Sequence, residues 1–229
     1  THLSNNSLRL LVIDAGLPNP TFDAGSRAMI DLIDLIRDSK SHPVIDIHFL
    51  AMGDNVWGRT TDLIDRGVQI HGPDEKLLSI VGQCNWLDQI APNLVVISRP
   101  GPASQWLTTV MAKKTVGSEP RFFYYGHDIH HQRLAQQMRF RPLKALSRQQ
   151  RLYRTLEHRI WNSFSVVIYG SKEECTHVNR VIANKAVPLP LYITRDCLPV
   201  TEEAAPAVDD APSILWVGGA HHAPNHDAV

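Results

Sequence analysis

Apolar residues in this chain fall into short runs separated by segments of helical periodicity. Leu8 to Ile13 (LRLLVI) is continuously apolar, the pattern of a strand buried on both faces. The Gly- and Pro-rich loop DAGLPNPTFDAGSR follows. It leads into a segment whose Met29, Leu32, Ile33 and Ile36 form one helical stripe, with Asp31, Asp34 and Arg37 opposite. Further strands are expected at Val44 to Leu50, Val68 to Ile70, Leu94 to Ser98, Phe122 to Tyr125 and Val166 to Tyr169. Helices are expected at Thr60 to Arg66, Glu75 to Ile90, Gln105 to Lys114 and Lys172 to about Ala183. Gln132 to Asn162 reads as helical with an interruption or bend near Pro142. Alternating short apolar strands and amphipathic helices predict an α/β fold with a doubly wound, Rossmann-like parallel sheet.

In such a sheet the loops at Asp14–Gly25, Arg99–Pro102, Gly126–His131 and Gly170–Glu174 all leave on one edge, where ligands bind. From Pro188 prolines recur among alanines and acids, the texture of an interdomain connection. Ile214 to Val217 (ILWV), ahead of Gly218-Gly219, reads as the first strand of a further domain. The expected division is therefore residues 1–190 as one α/β domain, 191–213 as linker, and 214–229 as the start of an incomplete second domain. A chain opening on Thr1 and closing on HHAPNHDAV is expected to be cut from a longer polypeptide.

Zero formal net charge removes any whole-molecule field for nucleic acid, and 43% hydrophobic residues fit a soluble globular protein. The charge is unevenly distributed. Seven arginines and Lys144 lie between Arg133 and Arg159 against Glu157 alone, a solvated helix face or a surface for anionic lipid or a phosphate-bearing acceptor. Cys84, Cys175 and Cys197 form no CxxC pair, which fits a reducing, cytoplasmic setting and not a disulfide framework or structural zinc site. No apolar run is long enough for a membrane span.

The chemistry concentrates where the aromatic strand RFFYY stops at Gly126 and His127, Asp128, His130 and His131 follow. His127 can exchange a hydrogen bond with a substrate hydroxyl, and Asp128 can orient it or bind sugar hydroxyls. Equally, the two can serve as helix-capping residues. A metal site is the lesser alternative, since HExxH is missing and His158 and His177 have no second ligand one turn away. Neither GxSxG nor GxxxxGK[ST] nor GxGxxG is present. Gly25, Ser26 and Arg27 start a helix, where backbone N–H groups suit an anion. They also fit plain helix initiation, with Gly25 for close packing and Arg27 solvated, and on the residues alone that second account is preferred.

Four stretches, in order, resemble the N-terminal domain of GT-B glycosyltransferases, the large GT4-like (group 1) set. They are the loop DAGSR (Asp23–Arg27), Ser98-Arg99-Pro100 after an apolar strand, YYGHDIHHQR, and Trp161 followed by VVIYGSKEE. WVGGAHHAPNHDAV is similar to the start of that family's C-terminal domain. The resemblance implies transfer of a sugar from a nucleotide-diphosphate donor to a saccharide or lipid-linked acceptor, with retention and without a metal or other cofactor. It implies catalytic roles for His127 and Asp128, and an acceptor cleft of Gly25, Ser26, Arg27, Arg99 and His130. Gly218 and Gly219 would face the donor. The family's E-x7-E donor region is missing, so these residues alone are expected to fold without catalysing, at a cytoplasmic location that includes the membrane surface. The contrasting expectations are a non-catalytic ligand-binding or regulatory module and, less favoured, a metal-dependent hydrolase.

Overall fold

The structure is a computed structural model describing residues 8–21, 23–38, 44–53, 60–72, 79–116, 120–140, 142–183 and 185–190. The expected linker at 191–213, the strand at 214–217, Gly218, Gly219 and the first turn of the helix expected from Glu75 lie outside the described residues. Element order is β1 (Leu8–Asp14), α1 (Ala24–Asp38), β2 (Ile45–Ala51), α2 (Thr60–Ile64), β3 (Gln69–His71), α3 (Ile80–Ile90) and β4 (Leu94–Ser98). Then come α4 (Pro100–Val116), β5 (Arg121–Tyr125), α5 (His130–Phe140), α6 (Lys144–Ser163), β6 (Val166–Tyr169), α7 (Lys172–Val181) and β7 (Ala186–Pro188).

The strands form one parallel sheet of seven in the order β3-β2-β1-β4-β5-β6-β7. This is a Rossmann-like, doubly wound fold. Because successive side chains alternate across a strand, β1 sends Leu10 and Val12 to one face, where they join Met29, Ile30 and Ile33 of α1 and Leu63 of α2. Leu11 and Ile13 enter the opposite core with Leu87 of α3, Trp106 of α4, Trp161 of α6 and Val178 of α7. Strand order grows outward from β1 in one direction and from β4 in the other, so the chain's direction of winding reverses between these two neighbours. Their carboxyl ends flank the crevice where such sheets accept ligands.

The start of α4 and the extent of the sheet differ most from the pattern-based expectation. Helix α4 starts at Pro100, five residues before the expected Gln105, and leaves Arg99 as the whole loop. Prolines at 100 and 102 sit in its first turn, where their missing N–H groups are not needed, and Ala103 N donates to Arg99 O at 3.2 Å. Strand β7 was not anticipated. It extends the sheet because Asn179 on α7 clamps Ala186 from both sides, accepting its N–H at 2.8 Å and donating to its carbonyl at 3.0 Å. The long helical segment breaks into α5 and α6 around Pro142, as expected.

Gly126 ends β5 against Tyr169. A Cβ there would lie 2.3 Å from Tyr169 Cε1, closer than any carbon contact allows. Tyr169 cannot simply swing aside, because its hydroxyl accepts a hydrogen bond from Trp161 Nε1 at 3.0 Å inside the core. Gly126→Ala should therefore cost about 2–3 kcal/mol of stability through overpacking, measured as a lowered urea midpoint at unchanged m-value.

Candidate functional site

Three strand ends build the site. β1 delivers Asp14, only 3% exposed, β4 delivers Ser98 and then Arg99, and β5 delivers Gly126 and then His127. Arg99 has φ +68°, a left-handed conformation that costs a residue bearing a Cβ about 1 kcal/mol. Its backbone is held there at both ends: the N–H donates to Tyr125 O at 3.0 Å, and the carbonyl accepts from Ala103. The guanidinium thereby meets two carboxylates, with Nε 3.0 Å from Asp14 Oδ1 and Nη2 3.6 Å from Asp23 Oδ1.

Asp23 does a second job. Its carboxylate accepts Ser26 N–H at 2.9 Å and the Ser26 hydroxyl at 2.6 Å, capping the start of α1. At Gly25 a Cβ would come within 2.9 Å of Arg99 Nη2, 3.1 Å of Asp23 Oδ1 and 3.1 Å of His127 Nδ1. The missing methyl is the space in which those three polar groups approach one another. Close packing is thus what Gly25 supplies, and Arg27 pairs with Asp31 one turn along at 3.0 Å, its side chain 40% exposed.

His127 is half-buried, and its Nε2 lies 3.0 Å from Ser98 Oγ, a residue with no exposed surface. Burial, followed by the charge of Arg99, pushes its pKa from 6.5 down to about 4, so it is a neutral imidazole across the physiological range. Burial pushes the Asp14 carboxyl up, against the opposing pull of Arg99 and the Ala15 N–H. For Asp23 burial acts in the same sense, but hydrogen bonds from Ser26 outweigh it and hold the carboxyl low. One guanidinium thus lies between two carboxylates, beside a neutral histidine.

The rest of the histidine-rich loop faces the other way. Asp128 Oδ1 lies 3.0 Å from His130 Nδ1 and its Oδ2 lies 2.7 Å from Arg133 Nε. Burial works to raise its carboxyl, but the His130 hydrogen bond and nearby positive charge bring it below the usual range. Glu157 of α6, fully buried, accepts the first backbone N–H groups of α5: His130 N at 2.8 Å and His131 N at 3.1 Å. It also accepts His131 Nδ1–H at 2.6 Å. The cap of α5 therefore comes from a distant helix, where His127 and Asp128 were the local candidates. His131 packs with His158, Trp161 and His177, which closes this part of the loop into the core.

The four loops expected to converge divide accordingly. Those after β1, β4 and β5 meet around Arg99, while the loop after β6 caps α7 through Ser171 and Glu174. Asp14, Ser98 and Glu157 were not singled out from the sequence. Asp14 is marked there only as a polar residue ending an apolar strand, Ser98 only as a member of the Ser98-Arg99-Pro100 stretch, and Glu157 only as the one acid in a basic stretch. Among the described residues no three His, Cys, Asp or Glu side chains are grouped to hold a metal ion. No family model matches the chain, and no curated protein matches it.

Two outcomes follow from the geometry. Since folded His127 binds a proton only near pH 4 and unfolded histidine near 6.5, the unfolded state takes up more protons between those values. The His127 contribution is thus complete above pH 6.5 and disappears as pH falls to 4; urea titrations should show a shallower pH slope in His127→Gln over that window. Glu157→Ala should cost about 3 kcal/mol, because it strands buried N–H groups at the start of α5, and hydrogen exchange at His130 and His131 should accelerate.

Proposed function

We propose that the chain is the acceptor-side domain of a nucleotide-sugar glycosyltransferase acting on a saccharide or lipid-linked hydroxyl. In the reaction a glycosidic bond forms to the acceptor oxygen, the bond from the anomeric carbon to the nucleoside diphosphate breaks, and the acceptor proton is lost. The observation that carries this reading is the meeting of His127, Arg99, Asp23 and Gly25 at the reversal point of a doubly wound sheet. It joins the resemblance of the DAGSR, SRP and YYGHDIHHQR stretches to that family. His127 would offer a neutral ring nitrogen to a sugar hydroxyl, and Asp128 would hold the entrance to α5 through His130 and Arg133. Retention, metal independence and donor contacts at Gly218 and Gly219 belong to the same proposal.

A membrane-bound acceptor is consistent with the α5–α6 corner. Phe140, Leu143 and Leu152 are 86%, 58% and 61% exposed there, near exposed Arg139, Lys144, Arg148 and Arg151. Apolar side chains among cations are the composition of a surface that rests on anionic headgroups. Among the described residues no helix is long and apolar enough to cross a membrane.

The test uses the chain together with any sequence its gene encodes beyond Val229. It is incubated with UDP-, GDP- and dTDP-sugars and a panel of saccharide and lipid-linked acceptors, with and without EDTA. Nucleoside diphosphate release that persists in chelator and falls roughly 100-fold or more in folded His127→Ala is the expected result. Donor binding without turnover would favour a ligand-binding module, and loss of activity to chelator would favour a metal hydrolase.

A further inference from the structure

Helices α5 and α6 form a hairpin that projects from the edge of the sheet where the candidate site opens. The chain enters α5 at the carboxyl end of β5 and has to return to the amino end of β6, its parallel neighbour. Helix α6 makes that return: just beyond its last turn Ser165 N donates to Phe122 O, at the start of β5, at 2.9 Å. Glu157 marks the level of the site on α6, because it accepts the first N–H groups of α5. Nearby, Tyr153 stacks on His130 with ring centroids 5.0 Å apart. From Glu157 back to Lys144 the helix is on the order of 20 Å long, and that length stands out past the start of α5.

The projecting part is built of exposed cations and apolar side chains. Glu157, Ile160 and Trp161 bury one face of α6, while Lys144, Arg148, Arg151 and Leu152 recur at helical spacing on the exposed face. Phe140 and Leu143 flank exposed Pro142 at the tip, 86% and 58% exposed. The two helices contain no acid except Glu157, which is buried and occupied by α5. Among the described residues Arg139, Lys144, Arg148, Arg151 and Arg154 have no carboxylate within ion-pair distance. Arg27, Arg66, Arg99 and Arg133 each have one. Like charges left unpaired in a row repel one another until an anion lies against them. Nucleic acid would use the cations and leave Leu143 and Leu152 in water. A bilayer interface with anionic headgroups uses both kinds of side chain.

We propose that the α5–α6 hairpin docks this protein on a bilayer containing anionic lipid, with Phe140 and Leu143 entering the headgroup layer and Lys144, Arg148 and Arg151 facing lipid phosphates. The acceptor class then narrows to a lipid-linked one, because the hairpin brings the bilayer to the edge on which the site opens. That narrowing rests on the glycosyl transfer reading; the docking does not.

The docking is measured without any activity. The chain, together with any sequence its gene encodes beyond Val229, is cosedimented with vesicles of equimolar phosphatidylcholine and phosphatidylglycerol, and with vesicles of phosphatidylcholine alone. Wild type should bind the anionic vesicles only, and more weakly as salt is raised. Phe140→Ser/Leu143→Ser should weaken binding roughly tenfold or more, and Arg148→Gln/Arg151→Gln roughly fivefold for each cation removed. All four positions are exposed, so the variants should keep the wild-type urea midpoint. Failure of folded wild type to bind the anionic vesicles overturns the proposal, as does equal binding to phosphatidylcholine. Undiminished vesicle binding by Phe140→Ser/Leu143→Ser overturns it too. Binding to an RNA oligonucleotide with none to vesicles reassigns the surface to nucleic acid. Vesicle binding by a protein that transfers sugar to neither lipid-linked nor soluble acceptors keeps the docking surface and removes glycosyl transfer. Transfer to soluble saccharides without vesicle binding does the reverse.

Discussion

The contact between Arg99 and Asp14 spans the two strands on either side of the point where the sheet reverses its winding, and most of the site hangs from it. Asp14 is buried at the end of β1, where an unpaired carboxylate would be strongly disfavoured. Arg99 answers it from the end of β4, and to do so its backbone enters a left-handed conformation and its chain enters α4 at once. The same guanidinium holds Asp23, which starts α1. The first helix, the fourth helix and two central strands are thereby tied through one side chain. A local loss at Arg99 would reach all of them.

Such ties make the site rigid at the cost of keeping its charges occupied. Among the described residues Arg99 is paired with Asp14 and Asp23, Arg27 with Asp31 and Arg133 with Asp128. Glu157 is spent on the start of α5 and on His131. The half-buried His127 imidazole, by contrast, has one nitrogen engaged by Ser98 and the other facing the gap at Gly25. Preorganisation of this kind suits recognition by direction, because groups already locked by partners lose little freedom when a ligand arrives.

The sheet was largely legible in the sequence because parallel strands buried on both faces are written as unbroken apolar runs, as in LRLLVI and LVVIS. The helix starting at Pro100 was less so, since prolines read as loop unless their place in the first turn is known. β7 escaped because three residues ending in a proline carry no period, and its pairing depends on an asparagine seven positions earlier. In the site, His127 and Arg99 announced themselves as polar residues following apolar strands, and Gly25 as a packing glycine. Asp14 and Ser98 gained their roles only from strand order, which brings β1 beside β4 and β4 beside β5. Glu157 lies 27 residues from the amide it caps, and no local rule connects the two.

Strand order also bears on where a donor's charge could be held. A diphosphate approaching Arg99 must compete with two carboxylates already within contact, beside a neutral His127. The pairing is half-buried and so screened little by salt, which leaves the Arg99 guanidinium poorly available to a phosphate at this edge of the sheet. Under the glycosyl transfer proposed, the division of labour between the two domains is then electrostatic. The β1–β4–β5 edge holds a guanidinium already committed to two carboxylates, and the diphosphate would find its N–H donors on the opposing domain.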